Sequence, residues 1–214
     1  MKIGILSMQR IKNYGSFLQA YALKSTIESL GYEVEFVDYT IENCIVPENN
    51  IKNSFFKRVL SYVKRKVKNI LYCSKIKEIK KKDLSENYNE YLKLLNISNK
   101  YNYRTKVDTL VIGSDEVFNC LQTNPDVGYS KELFGYNNNA NKVISYAASC
   151  GTTTVEALKK YKINTEVGKM LSKFSAISVR DKNSGKVVSE LTNKVPIYNV
   201  DPVFIYNFDH LIPN

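Results

Sequence analysis

Two rhythms of hydrophobic positions run along the chain. Lys2 to Met8 is a short apolar run that reads as a buried strand, and Phe17 to Leu30 carries Ala20, Leu23, Ile27 and Leu30 at helical spacing, with Gly31 as its stop. Glu33 to Tyr39 alternates Val34 and Phe36 with Glu33 and Glu35 and passes through Asp38, which predicts a second strand. Strand, helix and strand within residues 2–39 form a βαβ unit, and a parallel sheet follows from it. The strand rhythm is then lost from Thr40 to about Lys106, where Phe56, Val59, Leu60, Val63, Val67, Ile70 and Leu71 recur at helical spacing and Leu84 to Leu95 does so again. It returns at Val107–Ile112, Lys142–Ala147, Ala176–Val179 and Ile197–Val200. Between these strands, Thr154 to Phe174 reads as one long helix opened by a capping box of Thr153 and Glu156, and Asp181 to Leu191 as another. The predicted fold is α/β, a doubly wound parallel sheet in one domain over residues 1–214, with a helical insertion at about 41–106.

Composition narrows the classes. With 214 residues, 43% hydrophobic and 24% charged, the chain has the makeup of a folded globular protein. Its apolar runs, such as Thr109–Ile112, are far too short to cross a bilayer, and Ser7, Gln9 and Arg10 follow the first apolar residues too closely for a secretion signal. Cys44, Cys73, Cys120 and Cys150 are widely spaced and read as reduced thiols in a cytoplasm. The single histidine, His210, argues against His-based metal centres and hydrolase triads, and no metal site is expected.

The net charge of +10 is concentrated. From Lys52 to Lys82 twelve basic residues face one acid, Glu78, so this segment holds +11 and the rest of the chain −1. It reads as a basic amphipathic helix whose lysines form a solvated face; the sharper alternatives are an anionic membrane surface, with the protein peripheral to it, or an acidic polysaccharide. Nucleic acid is not expected, because no RNP, zinc-finger or helix-turn-helix pattern accompanies the charge.

In an open parallel sheet, ligands bind at the carboxyl ends of the strands, so the strand-to-helix loops are where chemistry is sought. Asn13-Tyr14-Gly15-Ser16 precedes the first helix and is expected to offer backbone N–H groups to an anion or hydroxyl; a simple turn is the plainer reading. Gly113-Ser114-Asp115-Glu116 follows an apolar strand, and its acids suit sugar hydroxyls or general-base work, or else cap a helix. Ser145-Tyr146-Ala147-Ala148-Ser149-Cys150-Gly151 runs into small residues that permit close backbone approach, with Cys150 read as a buried thiol rather than a nucleophile. Arg180 follows another strand and suits a carboxylate or phosphate, or an ion pair with Asp201.

Taken together, Asn13-Tyr14-Gly15 with Leu18-Gln19 and Ala22-Leu23, Gly113-Ser114-Asp115, Ser145 to Ser149 with Gly151, Ser178-Val179-Arg180-Asp181 with Ser184, and Asp201-Pro202 resemble the polysaccharide pyruvyl transferase family in order and spacing. The sequence departs from that family at Glu116 and Phe118, where Gln and Trp are usual on either side of a hydrophobic residue, here Val117, and at Cys150, where an aromatic residue is common. The resemblance implies a Rossmann-like half of a two-Rossmann, GT-B-like transferase that moves pyruvyl from phosphoenolpyruvate, its donor substrate, onto a sugar of a cell-surface polysaccharide, with no cofactor. It implies Asp115 and Arg180 as catalytic residues, and Asn13, Tyr14, Gly15, Ser16, Gln19, Gly113, Ser114, Glu116, Tyr146, Ser149 and Asp201 as substrate-binding. It further implies a second Rossmann-like domain or partner chain past the Asp-Pro motif, so the chain is expected to be incomplete and weakly active alone. A glycosyltransferase-like half-domain and a non-catalytic glycan-binding or anionic-surface module remain the alternatives.

Overall fold

The computed structural model of the protein describes residues 1–46 and 88–211. Six strands, β1 (Lys2–Leu6), β2 (Glu33–Phe36), β3 (Val107–Asp115), β4 (Ala140–Ala148), β5 (Ser178–Val179) and β6 (Ile197–Tyr198), form one sheet in the order β2-β1-β3-β4-β5-β6. Every pairing is parallel. The register places Ile3 beside Val34 and Thr109, and Gly113 beside Tyr146.

Both faces of the sheet are covered, as a parallel sheet requires. Ile3, Ile5 and Val111 point to one face, where they meet Phe17, Ala20 and Leu23 of α1 (Tyr14–Ser29) and Leu95. The opposite face buries Leu6, Leu110 and Ile112 against α2 (Val155–Lys160), α3 (Asn164–Ser172), α4 (Lys182–Thr192) and Phe134 of the 3-10 turn Lys131–Phe134. Helices on both faces make the sheet doubly wound, an α/β Rossmann-like arrangement. Burying a Leu, Ile or Phe side chain stabilises by about 1.5–3 kcal/mol, so these two clusters supply most of the driving force.

Sequence rhythm and structure part at three places. The helix expected over 154–174 is two helices, because the chain turns at Lys162, with φ of +58°. Ile163 N–H donates to Leu158 O and Lys162 N–H to Lys159 O, both at 3.0 Å, a Schellman cap in which the apolar pair Leu158 and Ile163 packs on the core. The cap of α2 is Thr154, whose hydroxyl accepts from Ala157 N at 3.2 Å; Thr153 instead donates to Asn119 Oδ1, so no Thr153 capping box forms. Finally, Gly113, Ser114 and Asp115 are the last residues of β3 rather than a loop beyond it, paired with β4 as far as Asp115 beside Ala148.

Within the expected insertion, residues 88–94 are helical. The basic helix expected at 52–82 lies outside the described residues. Among the described residues no helix is long and apolar enough to cross a membrane.

Candidate active site at the switch point of the sheet

The strand order reverses direction at β1, which has β2 on one side and β3 on the other. Connections leaving neighbouring strands at such a point diverge and leave a crevice at their carboxyl ends. Asn13, at the end of the β1–α1 connection, caps α1: its Oδ1 accepts from Gly15 N at 2.7 Å and Ser16 N at 3.3 Å. These amides, expected from the sequence to face a ligand anion, are therefore occupied by the protein's own carboxamide. What α1 does present is the Ser16 hydroxyl, which donates to Asp115 Oδ2 at 2.8 Å and joins the two sides of the crevice.

Asp115 ends β3 with φ of +88°, a left-handed conformation that Asp tolerates better than most residues. Its Oδ1 accepts from Glu116 N at 2.8 Å and lies 3.8 Å from Arg180 Nη2. Arg180 follows β5 and donates from Nη1 to Asp201 Oδ2 at 2.6 Å. Asp201 is fixed in turn, accepting from Val203 N at 3.1 Å on Oδ1 and from Ser114 Oγ at 3.0 Å on Oδ2. A buried relay lies behind: Gln19 Nε2 donates to Ser7 Oγ, and Ser7 Oγ donates to Ser114 O, each at 3.0 Å. The ends of four strands, β1, β3, β5 and β6, are thus locked by side-chain hydrogen bonds and ion pairs, which holds the carboxylates in place before any ligand arrives.

The crevice has a volume of about 450 Å³ and is lined by Asn13, Gly15, Ser16, Gln19, Asp115, Arg180, Asp201, Val203 and Phe204. Two carboxylates against one guanidinium leave its lining with a formal charge of −1. Phe204, on the 3-10 turn Pro202–Phe204, forms an apolar wall and is 82% exposed. A hydroxyl-rich molecule with an apolar face suits such a lining: carboxylates accept its O–H groups and the phenyl ring takes its C–H face.

A model of the polysaccharide pyruvyl transferase family matches residues 13–213. The chain belongs to that family. No curated protein and no solved structure matches it. In this polysaccharide pyruvyl transferase family member, the matched span contains every residue that lines the crevice.

The structure brings together Asn13, Gly15, Ser16, Gln19, Asp115, Arg180 and Asp201 of the residues singled out from the sequence, with Ser114 behind them. It places the others elsewhere. The Tyr14 ring sits edge-on to Tyr91 at 5.9 Å, and Tyr146 packs half-buried on the α1 face. Glu116 accepts from Asn119 Nδ2 at 2.8 Å, and buried Ser149 donates to Asp181 Oδ2 at 2.7 Å. Asp181 caps α4. Burial works against its charge, but the Ser184 amide and the Ser149 and Ser184 hydroxyls outweigh that and hold its carboxyl below the usual range. Cys150 is a buried thiol, its pKa pushed up to about 12 by burial, consistent with a residue that packs rather than attacks.

Sequence reasoning missed Ser7, Val203 and Phe204. Val203 and Phe204 were visible as an apolar run after Asp201-Pro202, but a bare run does not say which side of the fold it faces. The alternative reading of Arg180, an ion pair with Asp201, is the one the structure contains.

Proposed function

We propose that the crevice binds the saccharide acceptor of a pyruvyl transfer from phosphoenolpyruvate, with Asp115 as the base. The observation that carries this reading is Asp115 itself: a carboxylate oriented by the Ser16 hydroxyl, 3.8 Å from a guanidinium, at the mouth of a crevice with an exposed phenyl wall. In the reaction the donor's methylene carbon takes a proton, and an acceptor hydroxyl attacks the adjacent carbon as Asp115 removes that hydroxyl's proton. A second hydroxyl then displaces phosphate, so that phosphoenolpyruvate and a diol become a ketal and inorganic phosphate. Arg180 holds Asp115 and Asp201 in their orientation and turns its remaining N–H groups toward the donor's carboxylate or phosphate. A lining of formal charge −1 favours neutral hydroxyls over a multiply charged anion, which supports the acceptor rather than the donor as its main occupant.

The test is acceptor-dependent release of phosphate from phosphoenolpyruvate. Asp115→Asn keeps the size of the side chain and one acceptor oxygen but removes its basicity, and should lower the rate by roughly 10²–10⁴ with little change in acceptor affinity. A variant within about threefold of the parent refutes Asp115 as the base. Phosphate release that needs no acceptor refutes the transfer reading altogether.

A further inference from the structure

A second cleft opens beside the first on the same carboxyl edge of the sheet. It also has a volume of about 450 Å³, and the β1–α1 connection divides the two: residues 7–12 line the second cleft, and Asn13, Gly15, Ser16 and Gln19 the first. We infer that this second cleft is a saccharide subsite, taking the sugar next to the one that reacts, so that the acceptor is recognised as an oligosaccharide. This rests on the acceptor reading of the first crevice.

The floor is built and rigid. Asp38, buried two residues past the end of β2, accepts from Arg10 Nε at 2.6 Å, Arg10 Nη2 at 2.8 Å, Gln9 Nε2 at 3.1 Å and Asn102 N at 2.8 Å. Arg10 also donates to Ser98 O at 3.1 Å and Lys100 O at 3.3 Å. Held from several directions, its guanidinium lies 4.4 Å from the centre of the Tyr101 ring. Tyr101 in turn stacks on Tyr103, the rings 5.5 Å apart and within 6° of parallel. Even so, the two tyrosines are 59% and 47% exposed, so the lip of the cleft keeps aromatic surface in water. Exposed aromatic surface fixed in place at a concave, polar site is a mark of ligand binding.

The chemistry of the lining selects the class of ligand. Arg10 and Lys12 are matched by Asp38 and Asp126, so the charges cancel and a polyanion gains nothing there. Among the described residues the Asp126 carboxylate has no side-chain partner, and Asn124 beside it brings an amide to the same wall. The ring surface that Tyr101 leaves exposed beyond its contacts with Arg10 and Tyr103, for the C–H face of a pyranose, with a carboxylate and an amide for its hydroxyls, suits a neutral sugar.

Titration calorimetry on the full chain provides the test. The probes are galactose, glucose and their β-1,4-linked di- and trisaccharides. At least one series should gain about tenfold or more in affinity from mono- to trisaccharide. Tyr101→Ala and Asp126→Ala should erase that gain while leaving monosaccharide binding unchanged, and Tyr101→Phe should restore it. Tyr101 and Asp126 are exposed, so these variants are expected to fold, which circular dichroism verifies. A trisaccharide that binds no tighter than its monosaccharide overturns the inference, as does a gain that survives Tyr101→Ala. Failure of the acceptor reading is separately visible. A length gain that depends on Tyr101, together with phosphate release indifferent to Asp115→Asn, would leave the second cleft a sugar site and remove the catalytic role from the first.

Discussion

Gly113→Ala should be among the most damaging single-methyl changes in this protein. Gly113 has φ of +128°, and a Cβ built on it would lie 2.3 Å from the backbone oxygen of Tyr146, the residue paired with it on β4. The positive φ alone costs an L-residue about 1–2 kcal/mol. The overlap is with a strand backbone rather than the end of a flexible side chain, so β3 and β4 must part at that point. Losing or weakening about two ladder hydrogen bonds there adds roughly 1–3 kcal/mol. The total, about 2–5 kcal/mol, is a large share of the 5–15 kcal/mol typical of a folded domain. At about 2–4 °C per kcal/mol for a chain of this size, the midpoint of thermal unfolding should fall by roughly 10 °C. Gly31 separates the two contributions: its φ is +85° but a Cβ there meets nothing within 4 Å, so Gly31→Ala should lose only the conformational 1–2 kcal/mol. Urea denaturation followed by far-ultraviolet circular dichroism measures both. If Gly113→Ala is no worse than Gly31→Ala, the close approach of β3 and β4 at the base of the site is wrong.

Three further outcomes are expected. Arg180→Met leaves Asp115 and Asp201 facing each other without their cation; because the arginine side chain is 27% exposed, the loss should be about 1–2 kcal/mol in urea denaturation rather than that of a fully buried pair, and unchanged stability would contradict the bridging role. Asp181 has a folded-state pKa below its unfolded value of about 3.9, so its contribution is present above that pH and lost as pH falls toward the folded value; Asp181→Asn should cost about 1 kcal/mol at neutral pH and flatten the loss of stability below about pH 4, and an unaltered acid limb would refute the assignment. Alkylation read by mass spectrometry should label half-buried Cys44 in the native protein, whereas Cys120 and Cys150, buried and with thiol pKa values raised by that burial, should react only after denaturation; native labelling of Cys150 would reopen its chemistry.

Much of the architecture is local and was therefore legible in the sequence. Apolar runs and alternation marked β1 to β4, and Gly31 stopped α1 because a left-handed residue there lets the Gly31 amide bond back to Glu28 O at 2.9 Å. The Asn13 and Asp181 caps were not read from the sequence, although both are residue types suited to that position, because only the folded backbone shows which amides their side chains reach. The break between α2 and α3 was hidden because Lys162, not glycine or asparagine, takes the left-handed position, and the gain comes from seating Ile163 on a core assembled by distant residues. The site divides in the same way. Residue types at strand ends pointed to Asp115, Arg180 and Asp201, since the carboxyl edge of a parallel sheet is a consequence of connectivity. Which of them share a crevice depended on the strand order. The switch at β1 brings Ser16 to Asp115, while the pairing of β3 with β4 and the packing of α4 carry Tyr146, Ser149 and Glu116 into the protein's own interior contacts. The pair of Arg180 with Asp201 was one of two readings of the strand ends, whereas that of Arg10 with Asp38 left no trace in the sequence, because only the folded sheet sets the distance that makes it.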